Sequence, residues 1–278
     1  MNVLVDPDAL PAPVKISRPV MRYNGSKWRL ARWIISHFPP HLTYVELFGG
    51  SAAVLLQKPR ARSEVYNDQA RDVVRTFATL RDYPAELARA LALTPYARSE
   101  YATLYEKTDD DVEAARRFIA RSFMGQNSKG AFCRSGFDSR NNSDHFVARV
   151  RSLAALPDQI AIVAGRLSQV LFESRDAIEL VERYSTPGTL LYADPPYLGK
   201  RNYYPGTFGI QKHRELLTAL AASPAAVVIS SYPSAIYAEL LPGWRTVRAK
   251  ARTDTHSRSN SRTEVLWINR AAARSAGA

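Results

Sequence analysis

One stretch constrains this chain more than any other. The apolar run Thr189–Ala193 stops against Asp194-Pro195-Pro196-Tyr197. Neither proline can donate to a sheet ladder, so a strand that reaches them has to end. In open α/β sheets, ligands gather at the carboxyl ends of the strands. An acid, a rigid turn and an aromatic ring at such an end make a pocket. The prolines fix the directions of the carbonyls, and Tyr197 offers a flat face to a planar ring.

The rest of the chain supplies a sheet for that strand. Thr43–Phe48, Ser63–Asp68, Val170–Glu173 and Ala225–Ser230 read as further short strands, and Trp244–Ala251 with Thr263–Asn269 as a closing hairpin. Helices are expected over Trp28–Phe38, Ala52–Lys58 and from Gln69 to Leu80. Strands alternating with helices predict an α/β fold. Residues 82–155 interrupt the alternation: they are mostly helical, then polar and without apolar period from Gly125 to Asn142. A polar stretch that long inside a compact chain is functional or disordered. Leu87, Leu91, Phe118 and Phe123 are the expected core of the helical part, Cys133 a loop residue, and His213 a surface or capping residue.

Three other segments carry chemistry-bearing residues. Glu46-Leu47-Phe48-Gly49-Gly50-Ser51 ends the first strand with glycines that permit a tight turn and close approach to the backbone; taken alone, a bland turn fits equally. Asp68 ends the second strand, where a carboxylate suits the paired hydroxyls of a ribose; taken alone, a helix N-cap is the first reading. Arg22-Tyr23-Asn24-Gly25-Ser26-Lys27 precedes a helix, where a lysine held by a glycine turn can reach a carboxylate ligand; taken alone, such a motif is more often surface.

Composition narrows the function classes. The 278 residues carry 38 Lys plus Arg against 26 Asp plus Glu, a net charge of +12, which points to a polyanionic partner. A single cysteine excludes an intramolecular disulfide, and no Cys/His cluster has zinc-ligand spacing, so no metal is expected. No apolar run reaches membrane-spanning length, and the first 20 residues, with Asp6, Asp8 and four prolines, read as a loose arm rather than a signal peptide. A cytoplasmic chain is expected. A Ser/His/Asp hydrolase is unsupported, because no GxSxG elbow exists.

Together and in this order, the segments resemble the Dam-like, alpha-group DNA N6-adenine methyltransferases, over roughly residues 19–270. The resemblance implies a Rossmann-like methyltransferase sheet, mostly parallel with an antiparallel closing hairpin. The catalytic domain takes 21–81 and 156–270, an inserted target-recognition region takes 82–155, and 271–278 form a tail. It implies S-adenosylmethionine as cofactor and double-stranded DNA as partner, with a monomer as the default. Carried over residue by residue, Tyr23 and Lys27 help hold the methionine portion of the cofactor. Glu46, Phe48 and Gly49 line it, Asp68 takes the ribose hydroxyls, and Asp176 lies near its adenine. Asp194, Pro195, Pro196 and Tyr197 form the catalytic motif, with Asp194 also beside the cofactor. Arg262-Thr263-Glu264-Val265-Leu266 resembles the closing strand near the flipped base. The chain departs from the family where spaced glycines are frequent: Gly49 and Gly50 are adjacent, with Ala52 at the later small position.

The implied reaction is methyl transfer from a sulfonium to the exocyclic amine of an extruded adenine. Asn127, Lys129, Arg134 and Arg140 in the irregular stretch, and Arg248, Lys250, Arg252 and Arg258 in the hairpin region, are the expected DNA contacts. Three alternatives stay open at this level: cytosine N4, adenine in RNA, and a catalytically silent DNA-binding module.

Overall fold

The computed structural model describes residues 16–126, 131–139, 144–198, 208–252 and 261–275. Seven strands form one sheet: β1 (Thr43–Glu46), β2 (Ser63–Asn67), β3 (Val170–Glu173), β4 (Thr189–Ala193), β5 (Ala226–Ser231), β6 (Arg245–Arg252) and β7 (Ser261–Ile268), in the order β3-β2-β1-β4-β5-β7-β6. The first five run parallel, and β7 enters antiparallel between β5 and β6. The expected mostly parallel sheet with an antiparallel closing hairpin is therefore present. The strand order reverses between β1 and β4; β1 pairs with both neighbours, Thr43 lying beside Ser63 of β2 and Thr189 of β4. Such a reversal opens a crevice at the carboxyl ends of the two strands.

Parallel strands covered on both faces need apolar residues at successive positions. All five residues of β4 are buried. Alternate side chains serve two cores. Tyr44, Tyr66, Leu190 and Tyr192 face one; Val45, Leu47, Val65, Leu191 and Ala193 face the other. The first face is covered by the early helices: α1 (Ala31–Ile35), α2 (Arg71–Asp82), α3 (Pro84–Ala92), α4 (Arg98–Thr103), α5 (Asp111–Met124), α6 (Asp144–Ala154) and α7 (Pro157–Leu167). The second is covered by α8 (Ala177–Tyr184), α9 (Ile210–Ala222) and α10 (Ala235–Leu240), while α11 (Arg270–Ser275) returns to β5. Leu87, Leu91, Phe118 and Phe123 are buried as expected, in the same core as the sheet residues. The helices of 82–155 thus form part of the layer over the sheet.

Several local expectations are corrected. Ala52–Lys58 is a run of turns, because the amide of Leu55 donates to Glu46 Oε2 (2.9 Å) and leaves the helical ladder. Of Trp28–Phe38 only α1 is helical; its flanks close through short i to i+3 bonds before Pro39 and Pro40. Ile16 and Val20, placed in the loose arm, are buried against the first core. His213 is fully buried rather than at the surface.

Candidate active site

The Asp194–Tyr197 turn, the amino-terminal turn and the loops after β1 and β2 meet at the carboxyl ends of the strands. A chain of contacts joins them. Lys27 Nζ donates to Asp194 Oδ2 (2.7 Å) and to the carbonyl of Gly25 (3.1 Å). Ser26 and Ser51 share a hydroxyl–hydroxyl bond of 2.7 Å, which ties the Gly25 turn, at φ 82°, to the loop after β1. The amide of Gly50 donates to Asp68 Oδ2 (2.8 Å), and Gln69 Nε2 reaches Asp176 Oδ2 at 3.4 Å.

The two adjacent glycines make room for this chain's own rings. A Cβ at Gly49 would lie 2.0 Å from the Tyr66 ring, and one at Gly50, which sits at φ 50°, would lie 2.9 Å from the Tyr23 ring. Tyr66 Oη donates to the Gly50 carbonyl (2.6 Å). Tyr23 in turn meets Phe132 of the irregular stretch edge to face, at 5.3 Å between centroids. Phe48 is half-buried, with its ring edge to face with Phe208 at 5.4 Å.

Four acids stand in or beneath this surface. Glu46 is buried under the loop, with Oε2 accepting from Tyr44 Oη (2.8 Å) and Leu55 N. Burial pushes its pKa up to about 8, against the bonds from Tyr44 and Leu55, and Asp194 adds to the rise. Asp68 accepts from Ala70 N (2.8 Å) as well as Gly50 N. It therefore does act at the start of α2, and burial raises its pKa over the lowering effect of those two amides. Each of its oxygens keeps a second lone pair for another donor. Asp176 caps α8 through Ile178 N (2.9 Å) and remains half-buried. Asp194 is the exception. Its Oδ2 is held by Lys27, but its Oδ1 is buried without a hydrogen-bond partner. A buried carboxylate oxygen left in that state costs free energy until a donor arrives.

Glu264 completes the site from β7, 3.6 Å from Lys27 and buried. Tyr197 Oη donates to Glu264, and its phenol stays protonated because burial, Asp194 and Glu264 all raise its pKa. The Tyr197 ring packs on Tyr232 (4.5 Å), with Lys27 Nζ 4.7 Å from its centroid. Burial alone would discharge Lys27, but Asp194 and Glu264 outweigh it and hold the ammonium above 10.5.

Two residues do more than their sequence reading allowed: Glu264, named there only within the closing strand, and His213, expected at the surface or as a cap. Glu264 is an acid inside the otherwise apolar end of β7, a placement that marks function in a central strand. His213 has apolar Leu216, Leu217 and Leu220 at three, four and seven residues on, a spacing that places it on the buried stripe of α9.

Of the expected DNA contacts, Arg134, Arg248 and Lys250 have no contact with this cluster among the described residues. Arg248 and Lys250 are exposed on one face of the edge strand β6, whose last residue is Arg252. Arg134 donates to the Ala102 carbonyl (3.1 Å) and lies over the Tyr105 ring at 5.8 Å. Asn127, Lys129, Arg140 and Arg258 lie outside the described residues. Among the described residues, no group of three or more His, Cys, Asp or Glu forms a metal site, and no helix is long and apolar enough to cross a membrane.

Among solved structures, the chain is similar to the rRNA methyltransferase aviRa from Streptomyces viridochromogenes, at 17% identity over 96% of this chain and 91% of that one, with a TM-score of 0.38. It is also similar to the putative methyltransferase yhhF from Escherichia coli, at 10% identity over 86% and 81%, with a TM-score of 0.35. No curated protein matches the sequence. Residues 23–239 match the family model of the D12 class N6 adenine-specific DNA methyltransferases, a span that runs from Tyr23 through the turn at Asp194. The chain belongs to that family, whose members methylate adenine in DNA with S-adenosylmethionine.

Proposed function

We propose that Asp194 Oδ1 and the Pro195 carbonyl accept the two N–H bonds of an extruded adenine amine. The orphaned, buried Oδ1 carries this reading, because it is an acceptor already desolvated and aimed by Lys27 through its partner oxygen. Two acceptors localise the nitrogen lone pair and stabilise the positive charge that develops on N6. The Tyr197 ring, braced by Tyr232 and Glu264, serves as the stacking surface for the base.

The residues at the crevice fit S-adenosylmethionine, which supplies an electrophilic methyl. Asp68 has lone pairs left for the ribose hydroxyls. Asp176 lies at the next strand end for the adenine edge. Phe48 and Gly49 line the floor, and Tyr23 and Lys27 stand at the methionine end. Glu46 acts from beneath, by holding Leu55 and so the shape of the loop.

Duplex DNA is the substrate in this reading, bound by a single chain. The region 82–155 and the cationic face of β6 flank the crevice in sequence and supply the phosphate and base contacts. The test is direct. The purified chain is incubated with unmethylated duplex and S-adenosylmethionine, and the nucleosides are identified by mass spectrometry. N6-methyladenine is expected, and Asp194→Ala should cut its formation by about 100-fold or more while cofactor binding persists. Near wild-type turnover in that variant would overturn the assignment.

A further inference from the structure

The catalytic turn is held at one end by a residue with no part in the family motif. His213, on the buried stripe of α9, places Nε2 2.9 Å from the carbonyl oxygen of Pro196 and Nδ1 3.0 Å from Tyr237 Oη. A carbonyl only accepts, so Nε2 carries the proton. In the neutral ring, Nδ1 is then the acceptor for the Tyr237 hydroxyl. Burial lowers the His213 pKa against the bond to Pro196, which keeps the ring neutral. Phe208 seals its face edge-on at 4.8 Å and touches Phe48 on the other side. His213, Tyr237 and the α9 leucines share the second core, so the ring has little freedom to turn.

The bond matters because of which torsion it controls. Between the Asp194 and Tyr197 Cα atoms, φ of Pro195 and of Pro196 is locked by the rings. The ψ angles of Asp194 and Pro195 are restricted because each precedes a proline. The ψ of Pro196 and the φ of Tyr197 are the torsions left open. The first sets the plane of the peptide that leads into Tyr197; the second turns the ring, which Tyr232 and Glu264 hold from its far side. The His213 bond to the Pro196 carbonyl fixes that plane.

We infer that His213 is a positioning residue for methyl transfer: it clamps the Pro196 carbonyl so that Tyr197 and the acceptors of Asp194 and Pro195 keep one mutual geometry. This rests on the reading of the catalytic turn given above. His213 touches neither substrate nor cofactor. Its effect should fall on the chemical step and on base placement rather than on cofactor affinity.

The test compares His213→Leu, His213→Gln, Tyr237→Phe and Asp194→Ala. The readouts are single-turnover methylation, S-adenosylmethionine affinity, thermal midpoint, and fluorescence of 2-aminopurine at the target position. His213→Leu should slow methyl transfer by about tenfold or more, with cofactor affinity within about twofold of wild type. It should also change the emission of the extruded base. His213→Gln, which can return an N–H to the Pro196 carbonyl, should recover most of the rate. Tyr237→Phe keeps that donor and should change the rate by less than about threefold. A wild-type rate in folded His213→Leu overturns the clamp while leaving Asp194 in place. So does a Gln variant with a native thermal midpoint and no recovered rate, which also decides the matter if the Leu variant does not fold. Full activity in Asp194→Ala overturns the reading of the turn, and the clamp with it.

Discussion

Two buried charge clusters sit at opposite ends of the sheet, and only one bonds both oxygens of its central carboxylate. At the amino end of β2, Glu64 is enclosed by Lys58 Nζ (2.6 Å), two bonds from Arg166 (2.5 and 2.9 Å) and the amide of Ala61 (3.1 Å). Arg166 also donates to the Leu55 carbonyl (2.7 Å), and Lys58 lies over the Tyr44 ring at 4.4 Å. Both oxygens of this carboxylate are satisfied. At the carboxyl end of β4, Lys27 and Glu264 surround Asp194, yet Oδ1 stays unbonded. Both draw acids and bases out of water: one acid with two bases around Glu64, two acids with one base around Asp194. Arg166 Nε is left over in the first, so the difference lies in the carboxylate alone. Glu64 has a donor for each oxygen and holds the fold. In the reading proposed above, the open oxygen of Asp194 keeps a place for something that is not part of the chain.

That contrast predicts opposite consequences. Asp194→Asn should abolish measurable methyl transfer and shift the thermal midpoint little, because it keeps an oxygen for Lys27, leaves Glu264 to balance the ammonium, and turns the one unpaired acceptor into a donor. Arg166→Leu should do the reverse. Glu64 keeps Lys58 but loses both Arg166 bonds, and the buried Leu55 carbonyl loses its donor, at a cost of about 3 kcal/mol or more. Denaturant unfolding should show that loss, while the single-turnover rate of the folded fraction stays near wild type. If Arg166→Leu lost activity without losing stability, the division between the two ends would fail.

The pH dependence of stability sharpens the comparison. Two buried glutamates titrate in opposite directions. Burial raises Glu64, but bonds from Arg166 and attraction to Lys58 win and hold its pKa below 4.5. Its contribution is present above 4.5 and is lost as pH falls through the lower folded value. Glu46 is raised from 4.5 to about 8, so its contribution is full below 4.5 and is lost as pH rises through about 8. Glu46→Gln keeps an acceptor for Tyr44 and Leu55 and removes the titration. The variant should gain stability over wild type near pH 9 and none near pH 5, read from urea midpoints at about those two values. An equal shift at both would mean that Glu46 is ionised throughout.

Much of this site was legible in the sequence, for a reason that particular residues make plain. Asp194 to Tyr197 announces itself because two prolines after an apolar run leave the backbone almost no choice. Asp68 and Lys27 follow from turn chemistry that operates within a few residues. What escaped depends on distant partners. The expected helix at Ala52–Lys58 gives way because Glu46, nine residues earlier, takes the Leu55 amide. His213 reads as a surface residue when only its polarity is weighed, and becomes a core residue once Pro196 and Tyr237 are known to flank it. Local pattern specifies the elements; the choice among partners for a polar side chain is settled only by packing.

The smallest predicted effect concerns the same loop. Ala52 adopts φ 53°, a conformation that favours glycine, at the position where the family often carries one. A left-handed alanine costs roughly 1–2 kcal/mol. Ala52→Gly relieves that strain, but it also frees the unfolded chain, which costs about 0.4–1 kcal/mol, and it removes a fully buried methyl worth roughly 0.8 kcal/mol. The terms nearly cancel, so stability should change by less than about 1 kcal/mol. Gly49→Ala, three residues earlier in the same loop, has no such balance: its methyl would meet the Tyr66 ring at 2.0 Å. It should cost about 1–3 kcal/mol by overpacking and weaken cofactor binding as the loop shifts. Paired thermal melts settle the order. An Ala52→Gly loss as large as that of Gly49→Ala would mean that the methyl's packing, not the backbone, dictates the alanine.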